Sequence, residues 1–164
     1  MLIENIHECR LEAGLQAVGE LLDSLASDDD RLWPHAHWPA MRFDRPLGVD
    51  AVGGHGPISY TIEAYHPGRL VKFRFTGPSG YDGHHWLEVQ PDGDRGSLLR
   101  HTIRMRATGR AWLSWLLIIR PLHDALLEDA LSRARSALGM PAARRPWSLW
   151  VRCLRRLRYR LPRT

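Results

Sequence analysis

Residues 70–75 (LVKFRF), 84–90 (HHWLEVQ) and 98–106 (LLRHTIRMR) alternate apolar and polar side chains with a period of two, the mark of strands that bury one face. Gly77-Pro78-Ser79-Gly80 and Pro91-Asp92-Gly93-Asp94-Arg95-Gly96 separate them, and both are turn chemistry. A parallel connection needs a crossover of roughly a dozen residues or more, so these neighbours run antiparallel. Upstream, residues 47–52 and 58–65 read the same way. They are divided by Gly53-Gly54-His55-Gly56-Pro57 and followed by Pro67-Gly68-Arg69. The first of these glycine-rich turns lacks the Lys-Ser/Thr of a phosphate loop and leads into a strand, so it is read as a hairpin turn. Five strands in a meander need a cover for their apolar face.

Residues 121–138 supply it. Leu122, Leu126, Leu127, Ala130, Leu131, Ala134 and Leu138 form one stripe, with Pro121 in the first turn and Gly139 beyond the last, which predicts an amphipathic helix of about five turns. At the other end, residues 7–13 alternate as a strand with His7, Cys9 and Leu11 on one face. Leu15, Val18, Leu21, Leu22 and Leu25 then recur at helical spacing. Asp28-Asp29-Asp30 ends that helix and offers a cap for a short turn through Trp33. Pro34, Pro39 and Pro46 make residues 34–46 irregular.

This order of elements resembles the START-like helix-grip superfamily, in particular its bacterial polyketide cyclase/dehydrase and lipid-transport (SRPBCC) branch. The resemblance is carried by residues 65–75 (YHPGRLVKFRF), 83–89 (GHHWLEV) leading to 99–102 (LRHT), and 120–129 (RPLHDALLED). Family members often open the first helix with Ala-Pro, where this chain has Ala13-Gly14-Leu15. The resemblance implies an α+β helix-grip fold: a curved antiparallel sheet of about six strands wrapped around a long C-terminal helix. It spans most of residues 5–139 and says little about activity, because the fold hosts carriers, receptors and cyclases alike.

The chain has 164 residues, 44% hydrophobic and 25% charged, the composition of one globular domain able to enclose a cavity. Two distant cysteines, Cys9 and Cys153, form neither a CxxC pair nor a disulfide framework. With no visible secretory signal at the N-terminus, the expected compartment is the cytoplasm. The longest apolar run, residues 111–119, is nine residues long, about half of the roughly 20 that cross a bilayer. Lys72 is the sole lysine among 23 basic residues, a genome-wide bias more easily than a choice of guanidinium at each site. The net charge of +5 is unevenly placed. Residues 1–139 hold 15 basic and 18 acidic side chains, a balance of −3, whereas residues 140–164 hold eight arginines and no acid. The chain thus divides into a ligand-binding body, 1–139, and a basic tail, 140–164.

In a helix-grip fold the inward strand positions line a pocket. Parity assigns Tyr60, Ile62 and Ala64; Val71, Phe73 and Phe75; His85, Leu87 and Val89; and Leu99, His101, Ile103 and Met105 to that side. His123 and Leu127 join them from the helix. Such a lining suits a hydrophobic small molecule oriented by a few polar atoms. A hairpin centred in residues 92–95 makes His85 face His101 directly or diagonally. The pair is either a polar floor for a carbonyl or hydroxyl, a general base near neutral pH, or two core histidines satisfied internally. Without an inward carboxylate or thiolate they fall short of a metal set, so neither metal nor cofactor is expected. His84, Trp86 and Glu88 point outward. No nucleophile–base arrangement is visible, Cys9 having no assigned base.

In the tail, Trp147, Trp150, Val151, Leu154, Leu157 and Leu161 fall on one arc at helical spacing, with Arg152, Arg155, Arg156 and Arg160 opposite and Arg158 intruding. This basic amphipathic helix suits an anionic membrane surface. Docking on the domain itself, near Trp112 and Trp115, a homodimer contact or a partner's groove are the alternatives; nucleic acid suits it less well, giving the Trp/Leu face nothing regular to bury against. The expectation is therefore a binder or carrier of a lipid or polyketide-like molecule, peripheral to the membrane through residues 147–161. An aromatase/cyclase-type enzyme using His85 or His101 is the alternative.

Overall fold

The computed structural model describes residues 1–143 and 145–160, without the side chains of 158–160. Seven strands form one antiparallel sheet: β1 (Leu2–Leu11), β2 (Arg42–Phe43), β3 (Val52–His55), β4 (Ile58–His66), β5 (Leu70–Gly77), β6 (Tyr81–Asp92) and β7 (Gly96–Ala107). Their order is β1-β7-β6-β5-β4-β3-β2. The meander from β3 to β7 is thus a run of hairpins, and β1 closes the far edge by pairing with β7.

The helices are α1 (Leu15–Asp23), α2 (Ala111–Ser114), α3 (Arg120–Ala137) and α4 (Leu149–Arg160), with a π-helical turn, Trp115–Ile119, joining α2 to α3. From α3, Leu126, Leu127, Ala130, Leu131 and Ala134 are buried, the stripe expected of a covering helix. After α1, Asp30 Oδ1 accepts from the backbone N–H groups of Leu32 and Trp33, so the third of the three aspartates caps a tight turn.

Three expectations are corrected. The strand expected over residues 47–52 lies later, at Val52–His55, and the Gly53-Gly54 turn is itself strand. Backbones there approach too closely for any Cβ: one built on Gly53 would sit 2.0 Å from the Arg42 carbonyl oxygen, and one on Gly54 2.0 Å from that of Ile58. Glycine marks close strand contact here, and only Gly56-Pro57 turns the chain. Second, a bulge between Ile62 and Ala64 shifts the register of β4 on β5. Ala64 consequently pairs with outward Lys72, and Tyr65 with inward Val71, so Ala64 does not share the face of Tyr60 and Ile62. Third, the first strand begins at Leu2, which adds Ile3 and Asn5 to the inward side.

The buried side chains separate into two clusters. The larger joins α1 and α3 to β4–β7 through Val18, Leu21, Leu22, Tyr60, Ile62, Phe73, Leu99, Leu127 and Leu131. The smaller holds Ile3, Ile103, Met105, Ala107 and Trp115 at the far end of the sheet. Between them lies a cavity.

Candidate functional site: a histidine row in an apolar cavity

The cavity is about 110 Å³ in volume. Phe73, Phe75, His85, Leu87, His101, Ile103 and Met105 from the sheet, together with Leu122, His123, Leu126 and Leu127 from α3, line it. All but Leu122 and Leu126 were expected at this site. Tyr60 and Ile62 were also expected there, but both are completely buried in the core behind the wall. Phe73 and His85 stand in front of Tyr60, with ring centroids at 5.0 Å and 4.9 Å from it. The Tyr60 hydroxyl is hydrogen-bonded to His55 Nδ1 at 3.0 Å, and burial raises its pKa well above the ordinary value of 10.0. Sequence reading missed Trp33, Trp38 and Met41 from the irregular 34–46 region and its approach, and Trp115 and Ile119 from the π turn.

Register places His85 opposite Ile103 and Leu87 opposite His101. The two histidines are therefore diagonal neighbours, with His85 Nδ1 3.3 Å from His101 Nε2. His85 also stacks on Phe73 and Phe75, with centroids at 4.6 Å and 4.8 Å. The row continues: His101 lies 5.0 Å from His123, and His123 lies 5.6 Å from His7, centroid to centroid. His7 is directly opposite His101 on β1. Burial pushes the pKa values of His85 and His101 well below 6.5, and that of His123 below it too. His85, His101 and His123 thus stand as neutral imidazoles at neutral pH.

In a neutral pair joined by one hydrogen bond, one ring donates and the other accepts. His85 Nε2 and His101 Nδ1 are buried without a hydrogen-bond partner. Whichever ring donates, one free end is therefore a donor and the other an acceptor. Exchanging the two ends takes three proton movements together: one taken up at the free acceptor end, one passed along the bond and one released from the free donor end. His123 Nδ1 is likewise buried and unpartnered. Each such atom costs about 1–3 kcal/mol unless something enters to satisfy it.

The row ends at a carboxylate. Asp124 Oδ1 is 2.9 Å from His7 Nε2 and accepts from Asn5 Nδ2 at 3.1 Å, while Oδ2 lies 3.6 Å from Arg120 Nε. His123 Nδ1 is 3.7 Å away, beyond hydrogen-bond reach. Burial opposes ionisation of Asp124, but the interactions with His123, His7 and Asn5 outweigh it and hold the carboxyl below the usual carboxylate range. Asp124 therefore ties α3 to β1. His7, His123 and Asp124 also form the group that could hold a metal ion among the described residues, with ligand atoms within 4.8 Å of one another. The carboxylate that sequence reading did not find near the histidines is present, although its charge is already answered by Arg120.

The tail folds back on the body. Val151 and Leu154 are buried, and the indoles of Trp38 and Trp147 both donate to Asp129 Oδ2, at 2.8 Å and 3.0 Å. Arg155 does not face solvent with Arg152 and Arg156 as expected. Its guanidinium lies 4.4 Å from the Trp38 ring and 3.9 Å from that of Trp147, because stacking on two indoles outweighs full hydration for this weakly hydrated cation. Trp150 is half-exposed and donates to the Leu117 carbonyl at 2.7 Å. Leu161 and the side chains of Arg158 and Arg160 lie outside the described residues. Among the described residues no helix is long and apolar enough to cross a membrane.

No protein-family model matches the chain, and no curated protein sequence matches it. Solved structures do. CalU16 from Micromonospora echinospora superimposes with a TM-score of 0.59 at 16% identity, over 94% of this chain and 83% of that one. Norcoclaurine synthase from Thalictrum flavum, in complex with dopamine and hydroxybenzaldehyde, gives 0.61 at 15% identity, over 85% and 88%. A solution structure from Thermobifida fusca gives 0.60 at 15%, over 82% and 94%. Seven antiparallel strands, a long covering helix and these likenesses together show that the chain has the helix-grip fold.

Proposed function

We propose that the cavity binds a small, mostly apolar molecule of one or two rings that presents a hydroxyl or carbonyl to the histidine row. The observation that carries this is the set of unpartnered nitrogens, His85 Nε2, His101 Nδ1 and His123 Nδ1, in an otherwise apolar wall. Size narrows the ligand class. Pockets for drug-sized ligands run to roughly 300–1,000 Å³, whereas a dry cavity of about 150 Å³ accepts benzene. At about 110 Å³, the chamber fits a ring better than a diacyl lipid or a four-ring polyketide. The ligands of the norcoclaurine synthase complex, dopamine and hydroxybenzaldehyde, are single aromatic rings carrying such groups.

Isothermal titration with phenols, hydroxybenzaldehydes and two-ring homologues tests the reading, alongside native mass spectrometry of the protein as purified. His101→Leu and His85→Phe should each weaken binding by about tenfold, the worth of one hydrogen bond. Failure of every such compound to bind below millimolar concentration, or binding by both variants as tight as that of the wild type, overturns it.

A second reading has its own observation. The His85–His101 pair can take a proton at one end and release it at the other, as enolisation or dehydration of a bound carbonyl compound needs. Turnover of a candidate polyketide that survives both substitutions unchanged removes this cyclase-type alternative.

A further inference from the structure

We propose that the outer face of the segment joining β7 to α3, together with α4, seats the protein on an anionic lipid leaflet. Five large apolar side chains within residues 112–118 face solvent: Trp112 (40% exposed), Leu113 (43%), Leu116 (39%), Leu117 (57%) and Ile118 (46%). Only Trp115 of this run is buried, and the Ser114 hydroxyl is taken up by Tyr81 at 2.7 Å. Sequence alone marks this run as too short to span a bilayer. The structure turns it into a helical face whose large apolar side chains remain open to solvent.

The tail extends that face. The Trp150 indole is fastened to the Leu117 carbonyl, and at roughly 100° per residue Leu157 lies on the same flank of α4 as Trp150. Trp150 and Leu157 are 50% and 59% exposed. Part of the tail's apolar arc is thus spent on the body, through Val151 and Leu154, and part is left beside the exposed helix.

Charge identifies the occupant. No acidic residue occurs between Asp94 and Asp124, or after Asp129. Arg110 and Arg120 bound the apolar segment, while Arg152 and Arg156 are exposed on α4. An apolar centre with tryptophans and a rim of arginines matches the layering of a leaflet surface, acyl chains below and anionic head groups around. The same rim opposes a twofold dimer, which would set each arginine cluster against its copy. Trp115 and Ile119, on the inner side of the segment, line the cavity. The leaflet would therefore lie one helix away from the chamber, whatever the chamber holds.

The test is co-sedimentation of the full chain with vesicles of phosphatidylcholine alone or mixed with phosphatidylglycerol, at low and high salt. The wild type should bind the mixed vesicles and lose affinity with salt. Leu117→Glu and Trp112→Glu change exposed positions, and circular dichroism checks their folding. Each should weaken binding by at least roughly tenfold, the scale of one buried apolar side chain. Replacing Arg152 and Arg156 by Gln should cost a further factor of roughly ten or more at about 1 kcal/mol per charge. The proposal is overturned if the wild type stays in the supernatant, or if both glutamate variants sediment as the wild type does. A wild-type dimer that Leu117→Glu dissociates, without vesicle binding, overturns it equally.

Discussion

Acid should unfold this protein through the histidine row. The folded state keeps His85 and His101 neutral because burial holds both far below 6.5. In the unfolded chain each regains its ordinary affinity and binds a proton as pH falls through that value. The unfolded state then holds more protons than the folded one, so stability is complete above about pH 6.5 and declines below it. For a ring that stays neutral when folded, the loss between pH 7 and pH 5 is about 2 kcal/mol, hence about 4 kcal/mol for the pair. His123, also shifted down by burial, adds to this. Asp124 does not contribute in this window, since a depressed carboxyl gives up its stabilisation only below its ordinary value of 3.8. Against a typical total of about 5–15 kcal/mol, the loss is large enough to measure without ambiguity. Urea unfolding followed by tryptophan fluorescence at pH 7, 6 and 5 reads it directly. A His85→Phe, His101→Leu double variant should lose most of the slope while remaining folded at pH 7. Stability that is flat between pH 7 and 5, or a double variant with an undiminished slope, would refute the neutral buried row.

Three further outcomes follow from particular contacts. Gly19→Ala should lower the melting temperature even though alanine is worth about 1 kcal/mol more than glycine inside a helix, because its Cβ would sit 2.7 Å from the Gly68 carbonyl oxygen; a rise in Tm would show that the close approach can relax. Asp124→Ala leaves Asn5 and His7 without their acceptor and should cost about 1–2 kcal/mol at pH 7, read by thermal melting. Arg155→Ala removes a cation held over two indoles, a contact worth about 0.5–2 kcal/mol, and should speed tryptic cleavage at Arg152 and Arg156 while leaving the melt of the body nearly unchanged; an unaltered cleavage rate would mean that Val151 and Leu154 hold the tail by themselves.

The parts of the fold legible in the sequence are those where one local rule decides. Period-two alternation between glycine and proline turns locates β5, β6 and β7, and turn centring brings His85 to His101 because hairpin register follows from the turn. The β2–β3 edge was not legible, since Gly53 and Gly54 carry turn chemistry yet serve close strand contact. Nor could parity anticipate the bulge that moves Ala64 out and Tyr65 in, because one inserted residue reverses every later position. The end of the histidine row needed tertiary structure. Asn5 and His7 reach Asp124 across 119 and 117 positions of sequence, and only the inward parity of His7 hinted at it. In the tail, amphipathicity gave an apolar arc without its counterpart. That counterpart includes Asp129, which accepts from two indoles, and such pairing leaves no periodic trace.

The division of the core into two clusters bears on how the molecule would respond to an occupant. Trp115, Ile103 and Met105 belong to the smaller cluster, Phe73, Leu87 and Leu127 to the larger, and all six face the cavity from their respective sides. A molecule held there works as mortar between two courses, adding contacts across the seam that neither cluster makes alone. Its binding energy should therefore appear first as slower hydrogen exchange at the far ends of β1 and β7, where opening of the smaller cluster is least opposed. The empty and filled forms would differ less in shape than in how nearly the two halves unfold as one.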